Sequence, residues 1–137
     1  MPPLRCWNVL SWNIRGLNFE KKRLALNNAL ISSGCVVVCL QETKLSDVTS
    51  AFVKTCCPRQ FDQFAFVPSR GASGGILTIW KSSVFSGTVV SNDTHALVTS
   101  FVSTQTSQTW TLVNVYGPCA GEDRDTFTNW LYDVNIP

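Results

Sequence analysis

An α/β sandwich built on mixed sheets is the fold class this sequence predicts, and three observations carry that expectation. Strand-like and helix-like patterns alternate along the first part of the chain, a run of strand-like segments follows, and a helical pattern comes last. One apolar run, residues 35–41, has the length of a strand and no polar face, as expected of a strand covered on both sides. Hydrophobic residues make up 45% of the 137 residues and charged residues 15%, which excludes a disordered tail and suits one compact domain.

The elements follow in order. Residues 5–13 alternate and are rich in Trp, Val and Leu, the pattern of a first strand, and Gly16 punctuates the turn after it. From residue 19 to 33 the spacing becomes helical, with Phe19, Leu26 and Leu30 on one stripe and Gly34 as the stop. The buried strand 35–41 comes next. A second helix is expected to begin near Ser46-Asp47, an N-cap and first-turn pair, with Val48, Phe52 and Cys56 as its inner face and Pro58 as its end. Residues 63–68 read as a short strand and residues 70–75 as a loop rich in Gly and Ser. Residues 76–81, 85–91, 96–103 and 109–116 read as successive strands whose short polar linkers predict antiparallel hairpins. After Gly117-Pro118, acidic residues Glu122, Asp123 and Asp125 suit the first turn of a last helix. Its apolar face is Phe127, Trp130, Leu131 and Val134. A helix with no return strand behind it implies that residues 1–137 are the N-terminal part of a domain that continues past Pro137.

Composition narrows the partners. The net charge of +2 neither requires nor excludes a phosphate-rich partner, and the cluster Lys21-Lys22-Arg23 reads as the solvated face of a helix start. No segment approaches the roughly 18 apolar residues of a membrane span. The N-terminus lacks the apolar core of a signal peptide, so an intracellular, non-secreted chain is expected. Of the six cysteines, Cys35 and Cys39 lie in the apolar run. Cys56-Cys57 has no second pair at zinc-like spacing, so idle reduced thiols are expected rather than a zinc site. Trp7, Trp12, Trp80, Trp110 and Trp130 fall within predicted elements, which favours core packing over base stacking.

Most predicted strands close on a turn residue or a Ser, but three close on other chemistry: the first at Asn13, the second at Glu42 and the last at Tyr116. Singly, each has an ordinary reading, as a turn former, a solvent-facing loop carboxylate and a strand-end packing residue. Together on one rim they would offer an amide, a hard anionic oxygen and a phenol. That set suits Mg²⁺-assisted phosphoryl chemistry.

The flanking residues give the three positions a context. Trp12-Asn13-Ile14-Arg15-Gly16, Leu40-Gln41-Glu42-Thr43-Lys44, Ser73-Gly74-Gly75-Ile76 and Asn114-Val115-Tyr116-Gly117-Pro118 form an ordered series. This series resembles the endonuclease/exonuclease/phosphatase superfamily. Within it the chain is most similar to the endonuclease domain of plant LINE-type retrotransposons, itself akin to apurinic/apyrimidinic endonucleases. The resemblance implies a four-layer sandwich of two sheets flanked by helices, truncated here before its later strands. It also implies that Glu42 binds the catalytic Mg²⁺ (or Mn²⁺), that Asn13 belongs to the active-site hydrogen-bond network, and that Tyr116 contacts the scissile phosphate. Arg15 and Lys44 are candidate phosphate contacts.

The implied partner is the DNA backbone, with a nuclear location if the chain is retrotransposon-derived and no membrane partner. Arg15 stands where repair enzymes of the superfamily carry Asp, which argues against abasic-site repair. The Gly-Asp-Phe-Asn and Ser-Asp-His segments of the superfamily have no counterpart in the chain. Asp133-Val134-Asn135 and the single histidine, His95, lie in other contexts and are assigned no catalytic role. Little or no nuclease activity, and self-association through an uncovered sheet edge, are therefore expected. Two alternatives remain open: an inositol-phosphate or lipid phosphatase of the same superfamily, and a non-catalytic nucleic-acid-binding remnant.

Overall fold

A computed structural model describes residues 7–117; the expected last helix, with Trp130 and Asp133, lies outside the described residues, as do Cys6 and Cys119. The element order is β1 (Val9–Asn13), α1 (Glu20–Ser33), β2 (Val37–Gln41), α2 (Ser50–Cys56), β3 (Phe61–Val67), β4 (Ile76–Lys81), β5 (Phe85–Asp93), β6 (Ala96–Ser103) and β7 (Thr109–Val115).

Two local expectations change. Phe19 does not share the buried stripe of Leu26 and Leu30; it is 56% exposed, because it is the extended N-cap residue and lies ahead of the helical phase. The second helix starts at Ser50, not near Ser46-Asp47. Thr49 supplies the cap, its hydroxyl accepting the Phe52 amide at 3.1 Å. Val48 is buried in the core, but from the loop ahead of the helix. The α1 stop is as expected: Gly34 takes the left-handed conformation, φ 68°. Arg23 is no solvated-face residue. Its guanidinium donates to the Leu17 and Asn18 carbonyls and lies over the Phe52 ring, tying the loop before α1 to α2.

The strands form two sheets, of order β1-β2-β4-β3 and β5-β6-β7. In the first, β1 and β2 are parallel, joined through α1, while β4 is antiparallel to both β2 and β3. The second sheet is antiparallel throughout, because its strands are linked by turns too short for a parallel crossover. From β3 onward consecutive strands pair as hairpins, except that β4 and β5 do not: at residues 82–84, where the short linker predicts a hairpin, the chain passes from one sheet to the other.

Helices α1 and α2 cover one face of the first sheet. There Leu26, Leu30, Val53 and Cys56 pack with Val38, Leu40, Leu77 and Ile79. The other face meets the second sheet through Val37, Trp80, Phe85 and Phe101. Strand β2 is thus buried on both sides, as its apolar run anticipates. Trp7, Trp80 and Trp110 contact Phe85 or Phe101 within this inter-sheet layer, and Trp12 packs on the helix side. Their rings are committed to packing. Gly87 admits Trp80 here, since a Cβ would stand 2.6 Å from the indole. Cys35, Cys39, Cys56 and Cys57 are free buried thiols, and burial pushes the Cys39 thiol up to about 12. Among the described residues, no helix is long and apolar enough to cross a membrane.

One flank is open among the described residues. The inward phase of β1 is Val9, Ser11 and Asn13, all exposed, whereas the matching Val37 and Cys39 of β2 are buried. The second sheet ends at β7, over β2, and leaves a cleft of about 360 Å³ lined by Val9, Ser11, Cys39, Gln41 and residues 112–115.

Candidate active site

The parallel ends of β1 and β2 bring Asn13 and Gln41 side by side, so the chain leaves the sheet at two adjacent points. Each exit alternates between anchor and exposed residue. Ile14 and Leu17 are fully buried on either side of exposed Arg15; Thr43 is buried between Glu42 and exposed Lys44.

Main-chain hydrogen bonds bind these exits to each other and to a third loop. The amides of Ile14, Gly16 and Leu17 donate to the carbonyls of Gln41, Glu42 and Thr43 at 3.1, 2.8 and 2.9 Å. The amides of Thr43 and Lys44 donate to Gly75 and Gly74 at 3.2 and 2.9 Å, and that of Ser69 donates to Leu45 at 2.8 Å. The third loop reaches a fourth segment, because the Arg70 guanidinium donates to Thr94 Oγ1 at 2.8 Å in the β5–β6 turn. That turn holds the fifth, the Tyr116 amide donating to the His95 carbonyl at 2.8 Å. The four sequence motifs therefore meet along one rim, and Asn13, Arg15, Glu42, Lys44 and Tyr116 all stand on it.

Three of these residues have unusual backbones. Arg15 (φ 52°), Glu42 (φ 53°) and Lys44 (φ 59°) are left-handed without being glycine. Such strain persists where surrounding bonds over-determine it, and it gathers at functional sites. Lys44→Gly should relieve it and raise stability by about 0.5–1 kcal/mol. Urea melts of both proteins test this, and an unchanged or lower midpoint would show that the left-handed backbone stores no strain.

Electrostatically the rim mixes signs. Glu42 Oε2 lies 3.9 Å from Arg15 Nε, with the two side chains 24% and 73% exposed, so the pair is loose and screened by water. Lys44 and Arg70 add further exposed cations. Burial leaves Glu42 reachable while its backbone is held.

Two residues inside the quoted motifs carry a role that motif reading alone did not assign. Asn114 is 2% exposed and bridges the sheets: its Oδ1 accepts from Gln41 Nε2 at 2.8 Å, and its Nδ2 donates to Leu77 O at 3.1 Å and Thr78 Oγ1 at 3.0 Å. Gln41 also reaches Ser11 Oγ at 3.4 Å. Gln41 directly precedes Glu42, and Asn114 lies two residues before Tyr116, so one amide pair fixes both strand ends. A signal was available, since Asn114 sits in the inward phase of Trp110 and Leu112, where an amide is out of place unless partnered. His95 is the other surprise. Far from lying apart from the site, its ring packs beside that of Tyr116, centroids 6.2 Å apart.

The chain carries this rim on a fold that known proteins share. Its fold is similar to that in the crystal structure of AP endonuclease LMAP from Leishmania major, at a TM-score of 0.63 and 22% identity, covering 88% of this chain and 44% of that one. It is likewise similar to the Xenopus laevis APE2 catalytic domain, at a TM-score of 0.56 and 21% identity, covering 89% of this chain and 48% of that one. The chain thus spans about half the length of these structures. No curated protein matches it. The model of the Endonuclease/Exonuclease/phosphatase family matches residues 10–134, from within β1 to beyond the last described strand, and the chain belongs to that family.

Proposed function

We propose that this rim is the Glu42 half of a divalent-metal-dependent phosphodiester hydrolase acting on DNA, of the retrotransposon endonuclease type and hence nuclear. The observation that carries the reading is the convergence of Asn13, Glu42 and Tyr116 on one main-chain-locked rim bordered by Arg15, Lys44 and Arg70. The hydrolase class follows the family, and the names of the two AP endonuclease neighbours favour DNA over inositol phosphates or lipids.

The donor set fits a hard cation in part. Glu42 offers one carboxylate, partly exposed, and Mg²⁺ or Mn²⁺ retains most of its waters at sites with one or two carboxylates. Among the described residues, no group of three or more His, Cys, Asp or Glu forms a fuller cage. A bound ion supplies Lewis-acid stabilisation of charge on the phosphate. The chain's own groups bind and orient: Asn13 and Tyr116 hold phosphate oxygens, and the cations draw in the backbone.

Activation of water is the part for which the described residues offer no dedicated base. The 137-residue chain is expected to nick supercoiled plasmid weakly or not at all in Mg²⁺, yet to bind duplex DNA more tightly when Mg²⁺ is added. Glu42→Ala should abolish that Mg²⁺ gain. Robust Mg²⁺-dependent nicking that vanishes in Glu42→Ala would show a complete catalytic set in the chain, and absence of DNA binding would remove the DNA reading. The β1–β7 flank also supports self-association, since Val9 and Val115 stay 41% and 36% exposed beside edges that are unpaired among the described residues. Sedimentation velocity should show oligomers that grow with concentration, and a single monomer boundary throughout would exclude them.

A further inference from the structure

We infer that His95 is a phosphate-contacting residue of this site, donating a ring N–H to a non-bridging oxygen of a DNA phosphodiester beside Tyr116. The inference rests on the proposed DNA-binding reading and adds a contact to it. Strands β5 and β6 stay paired up to Asp93 and Ala96, so the turn between them is only Thr94-His95 and has no slack. Both ends of that turn are tied. The Asp93 carboxylate accepts the Thr94 amide, and Thr94 Oγ1 accepts Arg70 Nη2 at 2.8 Å. His95 is itself fixed to Tyr116 twice, by its carbonyl at 2.8 Å from the Tyr116 amide and by its ring, 6.2 Å between centroids at 38°.

An oxygen within reach of the Tyr116 phenol is therefore within about one side-chain length of the imidazole, with the exposed Arg70 guanidinium on the next loop. Imidazole is suited to such a contact, because either tautomer keeps an N–H to donate, and a bond to an anionic oxygen is roughly twice as strong as a neutral one. Among the described residues, Arg70 reaches this turn through Thr94, and the Asp93 carboxylate within it accepts the Thr94 amide.

The chain has one histidine, so a long-range ¹H–¹⁵N spectrum of uniformly ¹⁵N-labelled protein contains one pair of imidazole nitrogens. Titration with a 12-base-pair DNA duplex in Mg²⁺ should move those two signals. H95F, which keeps a flat ring but has no N–H to donate, should weaken duplex binding by about threefold to tenfold, in the range of one lost charge-assisted hydrogen bond. Its urea midpoint, measured alongside, separates a lost phosphate contact from a disturbed turn, since the Tyr116 amide still has the main-chain carbonyl and its ring still has a flat neighbour. If the duplex binds but the ring signals stay in place, or if H95F binds as tightly as wild type, the role of His95 is overturned while the DNA reading stands. If the duplex does not bind at low salt, both fall together.

Discussion

Gly75→Ala is expected to cost about 2–4 kcal/mol of stability and to dislodge the Glu42 loop. Gly75 has φ +95°, a conformation L side chains rarely adopt, and an added Cβ would overlap Thr43 Oγ1 and stand 3.2 Å from the Lys44 amide nitrogen. The neighbour cannot move aside cheaply. Thr43 is 1% exposed, its amide donates to the Gly75 carbonyl, and its hydroxyl accepts the Leu45 amide. A double-mutant cycle separates steric overlap from backbone strain. Thr43→Ala in the Gly75→Ala background should recover part of the loss, leaving the cost of the positive φ, with a coupling of about 1 kcal/mol or more. Strict additivity, or a Gly75→Ala midpoint equal to wild type in urea, would falsify the view that this contact locks the rim.

The second large effect concerns Asn114. Asn114→Leu keeps the branched shape, at a larger volume, but removes every hydrogen bond between the Asn114 side chain and the first sheet, leaving the buried Thr78 hydroxyl and one Gln41 amide hydrogen without that partner. A loss of about 2–3 kcal/mol follows, read as a lower urea midpoint at unchanged slope. Asn114→Asp adds a signature of its own. A carboxylate at this buried point faces the Leu77 carbonyl, so its folded pKa is raised above the unfolded one, and the folded state takes up a proton as pH falls. The N114D deficit should therefore shrink from pH 7 to pH 5, opposite to the usual acid destabilisation. A deficit that is flat or grows on acidification would mean that the amide is not as dry as its 2% exposure implies.

Local pattern revealed most elements because most are bounded by strong punctuation. Ile76–Lys81 and Ala96–Ser103 are found at the bounds their alternation and flanking turn residues give. The second helix failed locally for a tertiary reason. Ser46, Asp47 and Thr49 compete as caps, and the chain from residue 41 to 45 is committed to hydrogen bonds with Ile14, Gly16, Leu17, Ser69, Gly74 and Gly75, which no local window contains. The site was legible as three unusual strand ends, yet what joins them was not. Gln41 and Asn114 are 73 residues apart and meet only because β7 lies over β2. The nearness of His95 to Tyr116 follows from the β6–β7 register, in which Ala96 faces Val115, and register is not written in the spacing of a motif.

The rim's hydrogen bonds run largely between main-chain atoms. Its shape therefore depends on which residues are buried or glycine, chiefly Ile14, Leu17, Thr43 and Gly75, and little on the outward ones. The side chains of Arg15, Glu42 and Lys44 make none of these main-chain bonds, so exchanging them for residues that accept a positive φ should disturb folding little. A scaffold of this kind separates inheritance of form from inheritance of chemistry. Outward positions are free to drift toward new ligands, or to lose function altogether, while the protein continues to fold, so a silent descendant and an active one would share the same outline.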